Sequence, residues 1–179
     1  MRKYADDYEL ERTEDEKGRI KKTAKYIGDY YEVNVDSQDL IKFRRIALLL
    51  LIVTVGLHIG AGFVANPGMY RFFVALPYVF VFLPLYFFAA GILRLPKEKR
   101  ALRRDEVDLS FERIKKASGF LIALLSLVVV GELIFLLGFA EGGYNTEIVY
   151  LILEVLAAGA VAFLWRSQKL ITVQIISEE

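Results

Sequence analysis

Residues 118–139 read SGFLIALLSLVVVGELIFLLGF, with Glu132 as the one ionisable side chain in the run. At 1.5 Å of rise per residue, a helix of this length crosses a hydrocarbon core of about 30 Å. Three more blocks of similar length follow the same pattern: IALLLLIVTVGLHIGAGFVA at 46–65, FFVALPYVFVFLPLYFFAAGIL at 72–93, and EIVYLILEVLAAGAVAFLW at 147–165. A soluble domain interleaves its apolar residues with polar ones, whereas here they come in blocks. A backbone in lipid must satisfy its own hydrogen bonds, so each block is predicted to be a helix. The fold class expected is an all-α transmembrane four-helix bundle.

The remaining composition agrees with this. Of 179 residues, 55% are hydrophobic, and the net charge is only +1. The charges are nevertheless sorted. Eleven Lys and Arg precede the first block and nine lie between the second and third; Arg166 and Lys169 follow the fourth, and Arg71 alone lies between the first and second. Positive residues concentrate on the cytoplasmic side. The topology expected is therefore multi-pass, with both termini in the cytoplasm and two short outer turns, in a bacterial cytoplasmic membrane. The charged N-terminus has no early apolar stretch, so no signal peptide is expected. The chain has no cysteine, which excludes disulfides, thiolate metal sites and dithiol redox chemistry.

The chain divides into a cytoplasmic arm (1–42), a first transmembrane hairpin (43–93), a basic loop (94–117), a second transmembrane hairpin (118–165) and a cytoplasmic tail (166–179). The first 18 residues are dense in charge of both signs and read as a solvated arm. Residues 21–35 read as a β-hairpin turning at Gly28-Asp29, since Tyr31, Val33 and Val35 alternate with Glu32 and Asn34. A lone hairpin is marginal in water, and the β-branched stretch LITVQII at 170–176 is expected to add a third strand. Asp36 or Ser37 caps the next helix, which is expected to run through Lys42, Arg44 and Arg45 into the first span. Asn66-Pro67-Gly68 and Glu141-Gly142-Gly143 are the outer turns.

In the basic loop, Pro96 ends the second helix and is followed by Lys97, Lys99, Arg100, Arg103 and Arg104. This cluster either enforces topology or contacts an anionic lipid or a partner. Val107, Phe111 and Ile114 recur at helical spacing and suggest an amphipathic helix on the inner leaflet.

Three ionisable residues lie within the spans: His58, Glu132 and Glu154. Counted from the outer ends of their helices they share a depth of about 10 Å, and Tyr78 falls at nearly the same level. Ionisable groups are costly in lipid and usually face a bundle interior or cavity. Ala157, Ala158 and Ala162 share the face of Glu154; Thr54, Ala61 and Gly62 share that of His58. Three readings are open: a structural hydrogen-bonded layer fixing helix register, a proton-coupled or cation-binding site in a small carrier, and a metal site of one imidazole and two carboxylates. No cofactor is implied, and one histidine cannot supply both axial ligands of a haem.

Pro77 and Pro84, seven apart on one face of the second span, each remove a backbone donor and should bend the helix. Nine aromatics between 70 and 88 either face lipid or line a pocket for a hydrophobic ligand. Gly56-x-x-x-Gly60 permits close helix packing and, with it, a homodimer. No nucleotide loop, HExxH or GxSxG pattern is present, and no nucleic-acid partner is expected. The function expected is an accessory or scaffold membrane protein without enzymatic activity, bound to a membrane-protein partner; the alternative is the small carrier.

The stretch NPGMYRFFVALPYVFVFLPLYFF at 66–88, together with KYIGDYYEV at 25–33, resembles a group of uncharacterised four-span bacterial membrane proteins. The resemblance implies a fold and no activity. The size is also similar to that of small multidrug exporters. Those rely on a glutamate in their first helix, which this chain lacks, so their function is not carried over.

Overall fold

The computed structural model of the protein describes residues 3–14, 20–139 and 145–176. Four long helices dominate it: α1 (Ser37–Gly62), α2 (Phe72–Leu93), a short α3 (Arg104–Val107) that passes through a π turn at Asp108–Glu112 into α4 (Arg113–Gly138), and α5 (Asn145–Gln168). Three helical runs are long and apolar enough to cross a membrane: Phe72–Leu93, Arg104–Gly138 and Asn145–Gln168. Their outward faces carry Phe80, Leu83, Leu127, Leu133, Val155 and Phe163, all exposed. So broad an apolar surface is compatible with a lipid surrounding.

Each helix buries one narrow stripe. On α5 it is Glu147, Tyr150, Glu154, Ala157, Val161, Leu164 and Gln168, at spacings of three and four. The helices pack in the order α2, α4, α5, α1, and the sequence-adjacent α1 and α2 touch far less than the other neighbours. The expected pairing of α1 with α2 as a packed hairpin is thus replaced by α2 on α4 and α1 on α5. Glycine explains part of that choice. A Cβ on Gly131 of α4 would stand 2.6 Å from the Phe73 carbonyl oxygen of α2, so only glycine allows this approach.

Among the described residues, five strands lie at one end of the bundle. β1 (Tyr8–Glu14) pairs antiparallel with β2 (Ile20–Tyr26), and β3 (Tyr30–Val33) lies between β4 (Leu102–Arg103) and β5 (Val173–Ile175). The chain before α1, the loop between α2 and α4, and the segment after α5 therefore meet in one sheet. Val33 faces Val173 in the register, as expected of a tail that adds a strand. Val33 and Leu102 are almost fully buried beneath the sheet.

The expected hairpin over 21–35 does not form. β2 pairs with β1, and the region read as a solvated arm supplies that partner. Opposite charges favour this choice, since Glu9 faces Lys25 and Glu11 lies 3.7 Å from it. Tyr26 then holds the chain bent beyond β2: its hydroxyl donates to the Asp29 carbonyl at 2.7 Å and accepts the Arg104 backbone N–H at 3.1 Å.

The amphipathic helix expected on the membrane surface is also absent. Val107, Phe111 and Ile114 are buried within the bundle, and the π turn carries their helix straight into α4. Apolar spacing on a short helix is the same for lipid and for a bundle, and here the neighbouring helices supply the partner. A Cβ on Gly91 would stand 2.8 Å from the Ile114 side chain, which marks how closely α2 and α4 approach at this level. Asp36 caps α1 by accepting the Asp39 N–H at 2.8 Å. The expected turn at 141–143 lies outside the described residues.

Candidate polar site within the bundle

His58, Glu132 and Glu154 are all fully buried. Each lies on its helix's inward stripe, beside Thr54 and Ala61 on α1, Val128 and Phe135 on α4, and Tyr150 and Ala157 on α5. His58 Nδ1 lies 2.9 Å and 3.1 Å from the two carboxylate oxygens of Glu154. Its Nε2 lies 3.3 Å from the Tyr78 carbonyl oxygen. The Tyr78 hydroxyl donates back to the His58 carbonyl at 3.0 Å, and the two rings stack at 4.3 Å between centroids. α1, α2 and α5 are therefore tied at one point. Phe82 covers the imidazole at 4.9 Å.

The proton inventory follows from these partners. A backbone carbonyl only accepts, so Nε2 carries a ring proton. One more proton must lie between Nδ1 and the carboxylate for that contact to be a hydrogen bond. Whether it rests on nitrogen or on oxygen, the His58–Glu154 pair is neutral as a unit. A neutral, internally bonded pair removes most of the penalty of placing two ionisable groups in an apolar interior.

Glu132 is not part of this pair. Its Oε2 accepts from the Asn66 side-chain amide at 3.0 Å, while Asn66 Oδ1 accepts the Gly68 N–H at 2.7 Å. The turn between α1 and α2 is thus pinned to α4. A Cβ on Gly68 would stand 2.7 Å from Glu132 Oε2, so a larger residue there would have to displace the carboxyl group. Among the described residues, no three His, Asp or Glu side chains group as metal ligands. The equal depth read from the sequence holds two separate polar links, Glu154–His58–Tyr78 and Glu132–Asn66.

Tyr150, one turn before Glu154, sits between them, with its ring 6.2 Å from that of Tyr78. Its hydroxyl, Thr54 Oγ1 and Glu132 Oε1 are buried without a hydrogen-bond partner among the described residues. The sequence pattern alone did not single out Asn66 or Tyr150. Asn66 reads as a turn former and hides its second role. Tyr150 was legible as the residue four before Glu154 on the same helical face.

Pro77 and Pro84 leave α2 continuous from Phe72 to Leu93. Pro77 deprives the Phe73 carbonyl of its intrahelical donor, and that carbonyl is the one lying against Gly131. Of the nine aromatics, Tyr70, Phe72, Phe80, Phe82, Tyr86 and Phe87 are exposed on the bundle surface. In the basic cluster, Lys99 pairs with Glu32 at 2.8 Å, Arg100 with Glu106, Arg103 with Asp105 at 3.5 Å, and Arg104 with Asp7 at 3.7 Å; Lys97 is exposed. Four of the five cations are thus paired with carboxylates of the N-terminal segment, β3 and α3. Comparison of the chain with family models, with curated proteins and with solved structures finds no match.

Proposed function

We propose that the chain is an integral membrane accessory or scaffold protein without enzymatic activity, crossing a bacterial cytoplasmic membrane four times with both termini in the cytoplasm. The fourth span is α1, whose 46–62 segment carries His58 as its one ionisable residue. The sorting of Lys and Arg toward the sheet end supports the orientation, and the resemblance to four-span bacterial membrane proteins supports the class.

One observation carries the reading: the polar groups of the bundle bind each other and the backbone. His58 contacts Glu154 and the Tyr78 carbonyl, and Glu132 contacts Asn66. Such bonds fix which helices meet and in what register. The rigid bundle then presents its sheets on one side. Among the described residues β5 and the β1–β2 ribbon have open edges, to which a partner strand can add. The partner is a membrane protein or a second copy of the chain.

The test is gentle extraction from the native membrane followed by identification of what co-purifies. A stoichiometric membrane protein that leaves when β5 is deleted is the expected result. Recovery of the chain alone as a monomer overturns it.

The unpartnered Tyr150 hydroxyl, Thr54 Oγ1 and Glu132 Oε1 favour a second reading, a proton-coupled or cation-binding carrier. On that reading Glu132→Gln and Glu154→Gln abolish transport while the fold persists. If both variants keep every phenotype of the parent, the carrier reading fails.

A further inference from the structure

Between α2 and α4, on the outer surface of the bundle near the sheet end, lies a groove of about 420 Å³. Its apolar walls are Leu83, Pro84 and Phe87 of α2 and Ala117 and Phe120 of α4. Its rim carries Lys3, Arg113 and Lys116, with Asp108 between them. Arg113, Lys116, Ala117 and Phe120 follow at spacings of three, one and three, so they share one face of α4. Along that face the cations come first, and Phe120 lies about 10 Å deeper into the bundle than Arg113.

Charge and polarity are therefore graded along the groove as in an amphiphile. Asp108 is already engaged by Lys3 at 2.6 Å and by the Tyr4 hydroxyl at 3.1 Å. Among the described residues Arg113 makes no ion pair, and Lys116 reaches Glu112 only at 3.9 Å. The rim has an excess of two positive charges over an apolar channel open to the surroundings of the helices. This cluster is separate from Lys99, Arg100, Arg103 and Arg104, whose charges are matched within the fold.

We propose that this groove binds one anionic phospholipid of the leaflet that faces the sheets. Arg113 and Lys116 hold the phosphate, Lys3 flanks it, and an acyl chain lies along Ala117, Phe120, Leu83 and Pro84. Bound there, the lipid bridges α2, α4 and the N-terminal segment. The proposal rests on the membrane-spanning reading.

The test uses the full chain in detergent micelles, offered phosphatidylglycerol and phosphatidylcholine with identical acyl chains in equal amounts. Native mass spectrometry reads which lipid remains bound. The wild type is expected to retain one phosphatidylglycerol in preference to phosphatidylcholine. Lys116→Gln should cut that preference roughly fivefold, and Lys116→Gln with Arg113→Gln roughly thirtyfold. The Lys116 side chain is 78% exposed, so the single variant keeps the fold and decides the matter even where the double variant does not fold. A wild type without preference, or variants that keep it, overturns the proposal. So does a lipid-free dimer with this groove buried between two copies. Alkaline carbonate extraction separates the two levels: release from the membrane fails the spanning reading, and retention without lipid preference fails the lipid site alone.

Discussion

Gly131 on α4 faces the Phe73 carbonyl on α2 so closely that a Cβ would stand 2.6 Å from the oxygen and 3.3 Å from its carbon. That carbonyl has no intrahelical donor because residue 77 is proline. The glycine and the proline, 54 positions apart in the chain, thus describe one contact. A backbone oxygen cannot rotate away as a side chain can. Gly131→Ala is therefore expected to destabilise the bundle by roughly 1–3 kcal/mol, in the range of overpacked cores. Gly56→Ala and Gly60→Ala are the controls, because a Cβ at either meets nothing within 4 Å. Thermal unfolding in detergent should show a lowered midpoint for Gly131→Ala and no loss for the controls. If a control does lose stability or changes oligomeric state, the 56–60 face is a contact between copies.

His58 and Glu154 form a hydrogen-bonded unit that is neutral as a whole. His58→Ala leaves a carboxyl group in the interior without its partner and is expected to lower stability by about 3–5 kcal/mol. Glu154→Gln offers its side-chain amide N–H to Nδ1 of a neutral imidazole whose Nε2 keeps its proton toward the Tyr78 carbonyl, and should lower it by much less. The double variant His58→Ala, Glu154→Leu should recover a large part of the loss, since two buried polar groups leave together. With Glu154→Leu alone as the remaining corner, unfolding in one detergent completes a double-mutant cycle and gives the coupling directly. Additive losses would mean that the contact contributes nothing.

The long apolar helices were legible because an uninterrupted apolar run of about 20 residues, such as 118–139, has the length and composition of a helix able to cross a membrane. The inward direction of His58 and Glu154 was legible too, because small or polar neighbours such as Thr54, Ala61 and Ala157 mark a packed helical face. Depth alone, however, does not fix azimuth. Glu132 shares a level with His58 and yet bonds to Asn66, a residue whose place in Asn66-Pro67-Gly68 signals only a turn. Strand pairing was the least legible feature. β3 finds its neighbours at Leu102 and Val173, and no local pattern in Tyr30–Val33 encodes partners that distant. The Gly28-Asp29 pair is a sound turn signal, but a turn signal does not choose between pairing across itself and pairing with β1.

Asn66 carries two duties with one side chain, closing its own turn on Gly68 and holding Glu132. Asn66→Ala removes the one protein partner of Glu132 among the described residues and leaves a buried acceptor unsatisfied, which costs about 1–3 kcal/mol. Asn66→Asp keeps the turn, since the carboxylate still accepts the Gly68 N–H, but places two acidic groups together. It should be the more damaging change. Adding Glu132→Gln restores a donor facing the aspartate and should recover part of that loss. Unfolding midpoints of the two single variants and the pair decide it. An Asn66→Asp variant as stable as the parent would contradict the contact.

At the sheet end, Glu106 is held below its ordinary carboxylate range, first by the hydrogen bond from Arg100 and then by the backbone N–H of Arg103. Arg103 N–H donates to Glu106 Oε2 at 3.0 Å, so this carboxylate closes the first turn of α3. A depressed carboxylate contributes stability that is complete above its unfolded value, near 4.5, and is lost as pH falls through the lower folded value. The segment 100–107 should accordingly loosen in acid before the buried helices do. Backbone hydrogen exchange between pH 7 and pH 3, corrected for intrinsic rates, should show protection at Arg103 falling below about pH 4.5, while α4 stays protected. Arg100→Gln raises the folded value back toward the ordinary one. The exchange at Arg103 should then be faster at neutral pH and should change less with acid. An Arg103 amide whose corrected protection does not depend on pH would show that the Glu106 contact adds nothing to this turn.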